Sequence, residues 1–395
     1  MSLCRFARYM LAAPAMLGLC APAFALDYQV HGYAAQGFVY SDDNNLFGKS
    51  SEGSTDYYEA GLNASLQVHP RLIFAAQAAI RDAGISDDGT LRLDYALADY
   101  RFIEDVDGAL GVRAGKVKNP LGFYNETRDV VFTRPSILLP VGYTDNQNQR
   151  SLIFTAPGAQ VYGNRVWGRH ELSFTATHSS DHDVRKSDER LLIDLSGLPF
   201  DLHIEDSWNA QIMDSIDGGR WQFAVSHFFG RFDLRTPQTV QIAGKLDVGI
   251  TLFSARYNAE KFSITAEYGV APDKNRVTRG GVLVLNNSVT ADGGYLQGEY
   301  RINSSWKAFA RVEANYLDRG DRSGRKFEAA NPGADSASRS FRSLVVGANW
   351  RYGEHWGVWG EYHWIDGTVL LQKLENPQPP VDHWSLIMLM VGFKF

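Results

Sequence analysis

The chain has 395 residues, a formal net charge of −6, and a composition that includes 37 Gly, 22 Phe, 18 Tyr, 9 Trp and two Cys. Length alone fits one domain or several, but abundant glycine and aromatic residues indicate a β-rich protein. Both cysteines, Cys4 and Cys20, lie in the first twenty residues. The rest of the chain therefore cannot be a disulfide-stapled scaffold.

Residues 1–25 are predicted to be an export signal. Arg5 and Arg8 precede a mostly apolar stretch, and Ala23-Phe24-Ala25 supplies the small-x-small pattern of a cleavage site. The apolar stretch is too short to span a bilayer, which argues against a retained anchor. Cleavage after residue 25 would remove both arginines and change the net charge from −6 to −8. An acidic exported chain argues against nucleic-acid binding.

After residue 25, apolar and polar residues alternate with a period of two in many segments. Clear examples are 58–68, 262–270 and 306–316. No apolar stretch approaches the roughly 18 residues of a transmembrane helix. A soluble sandwich shows the same alternation, but charged polar faces and strands of roughly 10 to 13 residues favour a tilted membrane crossing. The pattern predicts an all-β fold, a transmembrane antiparallel up-and-down β-barrel.

The connections between these segments alternate between short and long, which predicts about sixteen strands. In outer-membrane barrels the short turns and both chain ends face the periplasm. Short turns are expected near residues 69–71, 104–108, 164–168, 215–219, 258–260, 303–305 and 353–355. Long loops are expected near residues 41–56, 82–89, 118–150, 179–203, 234–244, 271–292, 318–339 and 367–382.

Aromatic residues flank several of the short turns. They predict a girdle at one membrane interface, although strands are rich in aromatic residues in any case. The predicted girdle consists of Tyr257, Phe262, Tyr300, Trp306, Tyr352 and Trp356. The last strand, near 383–395, ends in Phe395 and is expected to pair with the first strand, near 28–40, to close the barrel.

A long segment after the fifth strand opens with Arg113-Ala114-Gly115-Lys116-Val117-Lys118-Asn119-Pro120-Leu121-Gly122-Phe123-Tyr124-Asn125. With the export signal, the sixteen strands and the terminal Phe395, the whole mature chain resembles Gram-negative porins. Similar stretches begin the inward loop of porins, including phosphate-selective ones. The resemblance implies a third loop, 118–150, that constricts the lumen, a role of Phe395 in assembly, and a homotrimer. Small residues of strand one, Gly32, Ala34 and Ala35, are compatible with close packing between barrels.

The charged residues of this segment are the candidate constriction residues. Its many apolar residues need burial, so the loop is expected to pack inside the barrel and to present its charges to a narrow passage. These loop charges are Lys116, Lys118, Glu126, Arg128, Asp129 and Arg134. Arg81, Arg92 and Arg113 occupy predicted lumen positions and are expected to form a basic wall. The alternative is that some of these residues pair with neighbours such as Asp94 or lie above the constriction.

The sequence favours a channel over an enzyme. The mature chain has no G-x-S-x-G, H-E-x-x-H or P-loop motif, and no cofactor or metal is expected, since the cluster at 178–183 lacks a defined ligand spacing. The predicted function is passive diffusion of small hydrophilic solutes and ions across the outer membrane, in contact with lipid and lipopolysaccharide. Alternatives are a channel selective for phosphate or another anion, and a barrel enzyme such as a lipase. A receptor with a plug domain is not favoured, because such barrels have about 22 strands and this chain is predicted to have about sixteen.

Overall fold

A computed structural model of the chain describes residues 27–85, 87–140, 153–184, 200–237 and 239–395. The predicted export signal and residues 141–150 of the predicted third loop lie outside these ranges. No helix within the described ranges is long and apolar enough to cross a membrane. The strands are β1 Asp27–Ser41, β2 Ser54–His69, β3 Leu72–Ala83, β4 Arg92–Asp105, β5 Gly108–Lys118, β6 Thr155–Trp167, β7 His170–Ser179, β8 His182–Asp183, β9 Asp201–Ile216, β10 Trp221–Arg235, β11 Ile242–Asn258, β12 Phe262–Arg279, β13 Val282–Arg301, β14 Trp306–Tyr316, β15 Ser340–Tyr352, β16 Trp356–Asp366 and β17 His383–Lys394.

Sixteen of these strands are long, and they form one closed antiparallel barrel. Each pairs with its neighbours along the chain, and β17 pairs with β1 in a register that sets Gly37 opposite Met390. The two-residue β8 adds only a short ladder beside β9, because β7 also pairs with β9 directly. The predicted sixteen-stranded antiparallel barrel is therefore confirmed.

All seven predicted short turns join neighbouring strands where expected. The long loop predicted at 271–292 is wrong, because β12 and β13 continue through it and are joined by Gly280 and Gly281 alone. Both glycines have positive φ, 56° and 80°, as a tight two-residue hairpin turn requires. The polar run after Pro272 suggested a loop, but these residues extend the two strands beyond their neighbours.

The two faces of the barrel have opposite chemistry. On β12, Ile264 and Tyr268 on the outer face are 44% and 40% exposed, whereas the inward Glu267 is 4% exposed. Apolar residues outside and polar residues inside invert the arrangement of a soluble protein. This inversion is typical of a barrel surrounded by lipid and filled with water.

Part of the inner face is apolar. On β17, the residues Trp384, Leu386, Met388 and Met390 all point inward and are buried. They belong to a cluster that includes Phe47 of the first long loop, Phe132 and Leu138 of the third, and Leu370 of the last. Because the loops supply the opposing side chains, this side of the interior is packed rather than open.

Candidate functional site in the barrel interior

Segment 119–140 leaves β5 and contacts strands on the far side of the barrel. The amide of Gly122 donates to Ser226 Oγ of β10 at 2.9 Å, and the amide of Phe123 donates to Glu267 Oε1 of β12 at 3.0 Å. Further along, the amides of Ile137 and Leu138 donate to the carboxylate of Glu361 on β16. The apolar residues of the segment are largely buried, among them Tyr124, Val131, Phe132, Ile137, Leu138 and Leu139.

Two wall carboxylates hold this segment. Glu267 also accepts hydrogen bonds from Ser254 Oγ at 2.5 Å and Tyr295 Oη at 2.6 Å. Glu361 is 4% exposed and lies 3.1 Å from His363 Nε2. Burial removes the hydration of a carboxylate, and the several hydrogen bonds that it accepts compensate for this loss. Each of these carboxylates therefore fixes a different part of the loop to the wall.

Arg311 of β14 is a third anchor. Its guanidinium is fully enclosed and donates to Ser136 Oγ and to the carbonyl of Leu138, both at 3.1 Å. Glu313, 3.3 Å away, provides the opposing charge. A planar group with five donors is well suited to binding backbone and side-chain acceptors at once. Arg311 is not among the predicted constriction residues, because alternation along β14 places it on the polar face but does not indicate its contact with the loop.

The predicted basic wall is paired with carboxylates. Arg92 lies 2.6 Å from Asp87, which Arg81 approaches at 4.0 Å. Arg113 is 3.0 Å from Asp99 and 4.2 Å above the ring of Tyr162. These pairings match the alternative reading, in which neighbouring acids neutralise the arginines, with Asp87 and Asp99 as the partners.

The predicted loop charges separate into buried and exposed groups. Lys118 Nζ binds Asp129 at 2.5 Å and lies 3.8 Å from Asp94, and Arg134 binds Glu59 at 3.0 Å. The Arg128 guanidinium covers the ring of Phe154 at 3.9 Å. Glu126 is the one exposed charge of the set within segment 119–140. Lys116 stands apart, since its Nζ donates to the carbonyl of Leu93 on β4.

The inner wall beneath the loop, toward the short-turn end, carries basic residues outside the predicted set. Arg256 lies over the rings of Phe123 and Tyr124 at 4.5 and 5.3 Å. Arg351 donates to the carbonyl of Phe132, and Lys394 Nζ is 5.4 Å from the ring of that residue. None of these three cations forms an ion pair with a described residue. Lys307 on the same wall is paired with Glu299 at 2.7 Å.

Aromatic side chains cluster outside the barrel at the short-turn end. Tyr300, Trp306, Tyr352 and Trp356 are each more than 40% exposed, and Tyr257 contacts Phe262 with ring centroids 5.8 Å apart. Three residues outside the predicted girdle set add ring contacts between these residues, namely Trp221, Trp350 and Phe393. Phe395 is 61% exposed beside Phe393. The predicted girdle residues thus share one end of the outer surface.

No protein-family profile and no curated protein sequence matches the chain. Solved structures match its fold. The outer membrane channel DcaP of Acinetobacter baumannii is 12% identical with a TM-score of 0.56, covering 96% of this chain and 100% of that one. The anion-selective porin of Comamonas acidovorans is 9% identical with a TM-score of 0.55, covering 94% and 100%.

A trimer form of OmpT, an outer membrane protein of Vibrio cholerae, is 12% identical with a TM-score of 0.54, covering 94% of this chain and 100% of that one. These likenesses span nearly the whole of each chain at very low identity. The chain therefore has the fold of the sixteen-stranded porins.

Proposed function

We propose that the protein is an outer-membrane channel through which small hydrophilic solutes and ions diffuse passively. The observation that carries the proposal is the closed barrel with an apolar outer face and a polar, charged inner face. A barrel of sixteen strands is wide enough to enclose an aqueous channel. The long loops would face outward from the cell and the short turns would face the periplasm.

In this proposal, segment 119–140 narrows the channel. Its anchors Ser226, Glu267, Arg311 and Glu361 lie on four different strands, so the segment runs across the interior and not along one wall. Enclosed charges act through low-dielectric walls, where their fields are screened less than in bulk water. The exposed charge of the segment, Glu126, would face the passing solute.

The interior further favours a channel that prefers anions. Arg256, Arg351 and Lys394 lie beneath the loop without carboxylate partners among the described residues, whereas the arginines of β3, β4 and β5 are neutralised. Unpaired cations at a constriction attract anions and repel cations. The anion-selective porin with the same fold is compatible with this preference.

We also propose that the protein forms a trimer and has no enzymatic activity. The OmpT trimer supports the first, but the small residues of β1 support it less than expected. Ala35 points into the interior cluster, and Gly32 is covered by the ring of Phe395. Of the three, only Ala34 stays available on the outer face of β1. Proposed lipid and lipopolysaccharide contacts follow from placing the apolar outer face in a membrane.

Swelling of liposomes tests the channel directly. Liposomes that contain the purified protein should swell in isotonic solutions of small sugars, and the rate should fall as sugar size increases, because the segment limits the bore. A control preparation of heat-denatured protein at equal mass should give no swelling. Equal rates for all sugars, or rates equal to those of the control, would contradict the proposal.

A further inference from the structure

The outer wall carries a shallow, open groove across β10 to β14. Its volume is about 890 Å³. The floor consists of small residues, and it is bordered by larger apolar side chains on both sides. The floor residues are Ala255, Ala266, Gly294 and Ala314, and the bordering residues are Phe223, Val225, Phe253, Leu296 and Val312. The strand register places all of them on the outer face.

The groove ends near the long-loop side of the membrane. Its end is marked by Tyr268, Tyr316 and Asp292, and Asp292 lies nine residues before Arg301 at the short-turn end of β13. At about 3.3 Å per residue and a tilt of about 45°, this distance is about 21 Å, close to the height of the apolar band of an outer-membrane barrel, which is about 25 Å. The groove itself is therefore at the depth of lipid acyl chains.

A cationic rim closes this end. Asp292 is buried, accepts a hydrogen bond from Tyr268 Oη at 2.7 Å, and pairs with Arg322. Arg319 Nε lies 3.9 Å from the same carboxylate. The side chains of Arg319 and Arg322 are 58% and 50% exposed, so two accessible cations share one enclosed anion. This leaves a net positive charge directly above an apolar groove.

The nearby acids do not cancel this charge. Asp318 and Asp321 interact electrostatically with Arg339, and Asp321 also with Lys326, so the charges of these two acids are opposed by cations of their own loop. Lys274 and Arg276, exposed on the outer face of β12 beyond the groove, extend the positive surface outward. Asp247, which faces Lys274 across the β11–β12 pair, is bound by Arg231 at 3.3 Å.

We propose that this groove binds a membrane lipid with a phosphate headgroup, with one acyl chain along the alanine and glycine floor and the phosphate on Arg319 and Arg322. Arginine pairs well with phosphate because its fork matches two phosphate oxygens. The inference depends on the proposed membrane location. A second copy related by a two-fold axis is a poorer occupant, since two such rims brought together would repel each other, and a trimer contact through the groove is an outcome of the test below.

Native mass spectrometry of the full-length protein in detergent tests this site. The probe is dioleoyl phosphatidylglycerol, titrated against the parent protein, the double variant Arg319→Gln/Arg322→Gln, and Ala266→Trp, which fills the floor. Binding by the double arginine variant should weaken by about thirtyfold, because each of the two basic residues near an anionic headgroup contributes about 1 kcal/mol. The tryptophan variant should lose the bound lipid. Dioleoylglycerol, which has the same chains without phosphate, should bind the parent weakly.

Matched controls are Arg165→Gln, an exposed arginine paired with Asp105 at the other end of the barrel, and Ala114→Trp on the outer face of β5. Both should retain the lipid. Equal retention by all variants would overturn the site, as would a change of oligomeric state in Ala266→Trp, which would assign the groove to a second subunit. Sugar-driven liposome swelling should be unchanged in every variant, so failure of the lipid site is distinguishable from failure of the channel proposal.

Discussion

At the scale of single residues, the interior depends on carboxylates that bind backbone amides. Glu361 is buried on β16 and accepts from two consecutive amides of the loop. The loop backbone lacks strand partners there, so these amides need a side-chain acceptor. A buried amide without an acceptor costs about 1–3 kcal/mol.

Replacing Glu361 with Ala should therefore release the 131–139 part of the loop, weakening its attachment by about 1–3 kcal/mol per unsatisfied amide. The measurement is hydrogen exchange at Ile137 and Leu138 in the folded barrel. Glu299→Gln is the control, because Glu299 binds Lys307 on the wall and no amide of the loop. Unchanged protection in the Glu361 variant would show that other contacts hold the loop.

Glu375 joins three outer loops. Its Oε1 accepts from the amides of Gly48 and Ile85 at 2.9 and 3.0 Å, while its buried Oε2 has no hydrogen-bond partner among the described residues. Burial raises the pKa of the Glu375 carboxyl above its ordinary value of 4.5, although the two amides oppose the change. A protonated Oε2 suits this position better than a charged one.

Because the folded-state pKa of Glu375 is raised, the stabilisation it gives to the loop contact is fully present below pH 4.5 and is lost as the pH rises through the raised pKa. Exchange protection of the Gly48 and Ile85 amides, corrected for intrinsic rates, should fall as the pH rises from 4.5 through the raised pKa of Glu375. Glu375→Gln keeps the accepting oxygen and should make the protection independent of pH. A pH-dependent profile in the glutamine variant would refute this role.

At the scale of elements, the closing pair of strands meets at a tight contact. The backbones of Gly32 and Phe395 exchange two hydrogen bonds, at 3.0 and 3.1 Å. A Cβ on Gly32 would lie 2.4 Å from the ring of Phe395, which is far inside contact distance. The C-terminal aromatic ring therefore covers a strand glycine at the seam, where β17 meets β1.

Gly32→Val should impair closure and lower the yield of heat-modifiable protein on unheated gels, since a closed barrel resists detergent unfolding through its complete strand pairing. Gly298→Val is the matched control, because Gly298 is also on an outer strand face and a Cβ there meets nothing within 4 Å. Equal yields of the two variants would indicate that the ring moves aside freely.

The elements were largely predictable because strand alternation and turn chemistry are local signals. The short turns at 258–260 and 353–355 could be located from the polar and glycine residues that interrupt apolar alternation. The hairpin within 271–292 could not be located in this way, since β12 and β13 continue there through a polar run that lacks the alternating pattern. The inward face of β17 was missed for a different reason, because apolar residues on both faces hide which face is packed by loops.

Site residues were harder to predict than strands. Parity along a strand placed Arg81 and Arg113 inside, but no local pattern indicates that Asp87 and Asp99 neutralise them. Arg256 and Arg351 matter because segment 119–140 lies against them, and this contact joins residues more than a hundred positions apart. Such pairings depend on barrel closure and loop path, which a single sequence does not encode locally.

At the scale of the whole molecule, the wall and the loops have separate roles. The outer face is apolar, strand closure leaves no long free edge, and the interior combines a packed side with a charged side. The packed side lies between β1, β2 and β15 to β17, where three loops fill the interior. Solutes would then pass beside the charged groups near segment 119–140.

Charge replacement tests which groups control passage. The triple variant Arg256→Gln/Arg351→Gln/Lys394→Gln should move the zero-current potential in a salt gradient toward cation preference, because ions pass these groups within a screening length of about 8 to 10 Å. Lys274→Gln/Arg276→Gln/Arg279→Gln removes equal charge from the β12 extension and should have a much smaller effect. Equal shifts in the two triple variants would show that Arg256, Arg351 and Lys394 do not determine the ion preference.

Single-channel recording of the unmodified protein in a planar bilayer is the most direct test that the barrel is an open, anion-preferring channel. The account predicts discrete, stepwise increases in current on addition of the protein, with a nearly linear current–voltage relation and a zero-current potential of the sign given by anion preference in a salt gradient. A bilayer that contains heat-modifiable, folded protein and shows no current steps would contradict it.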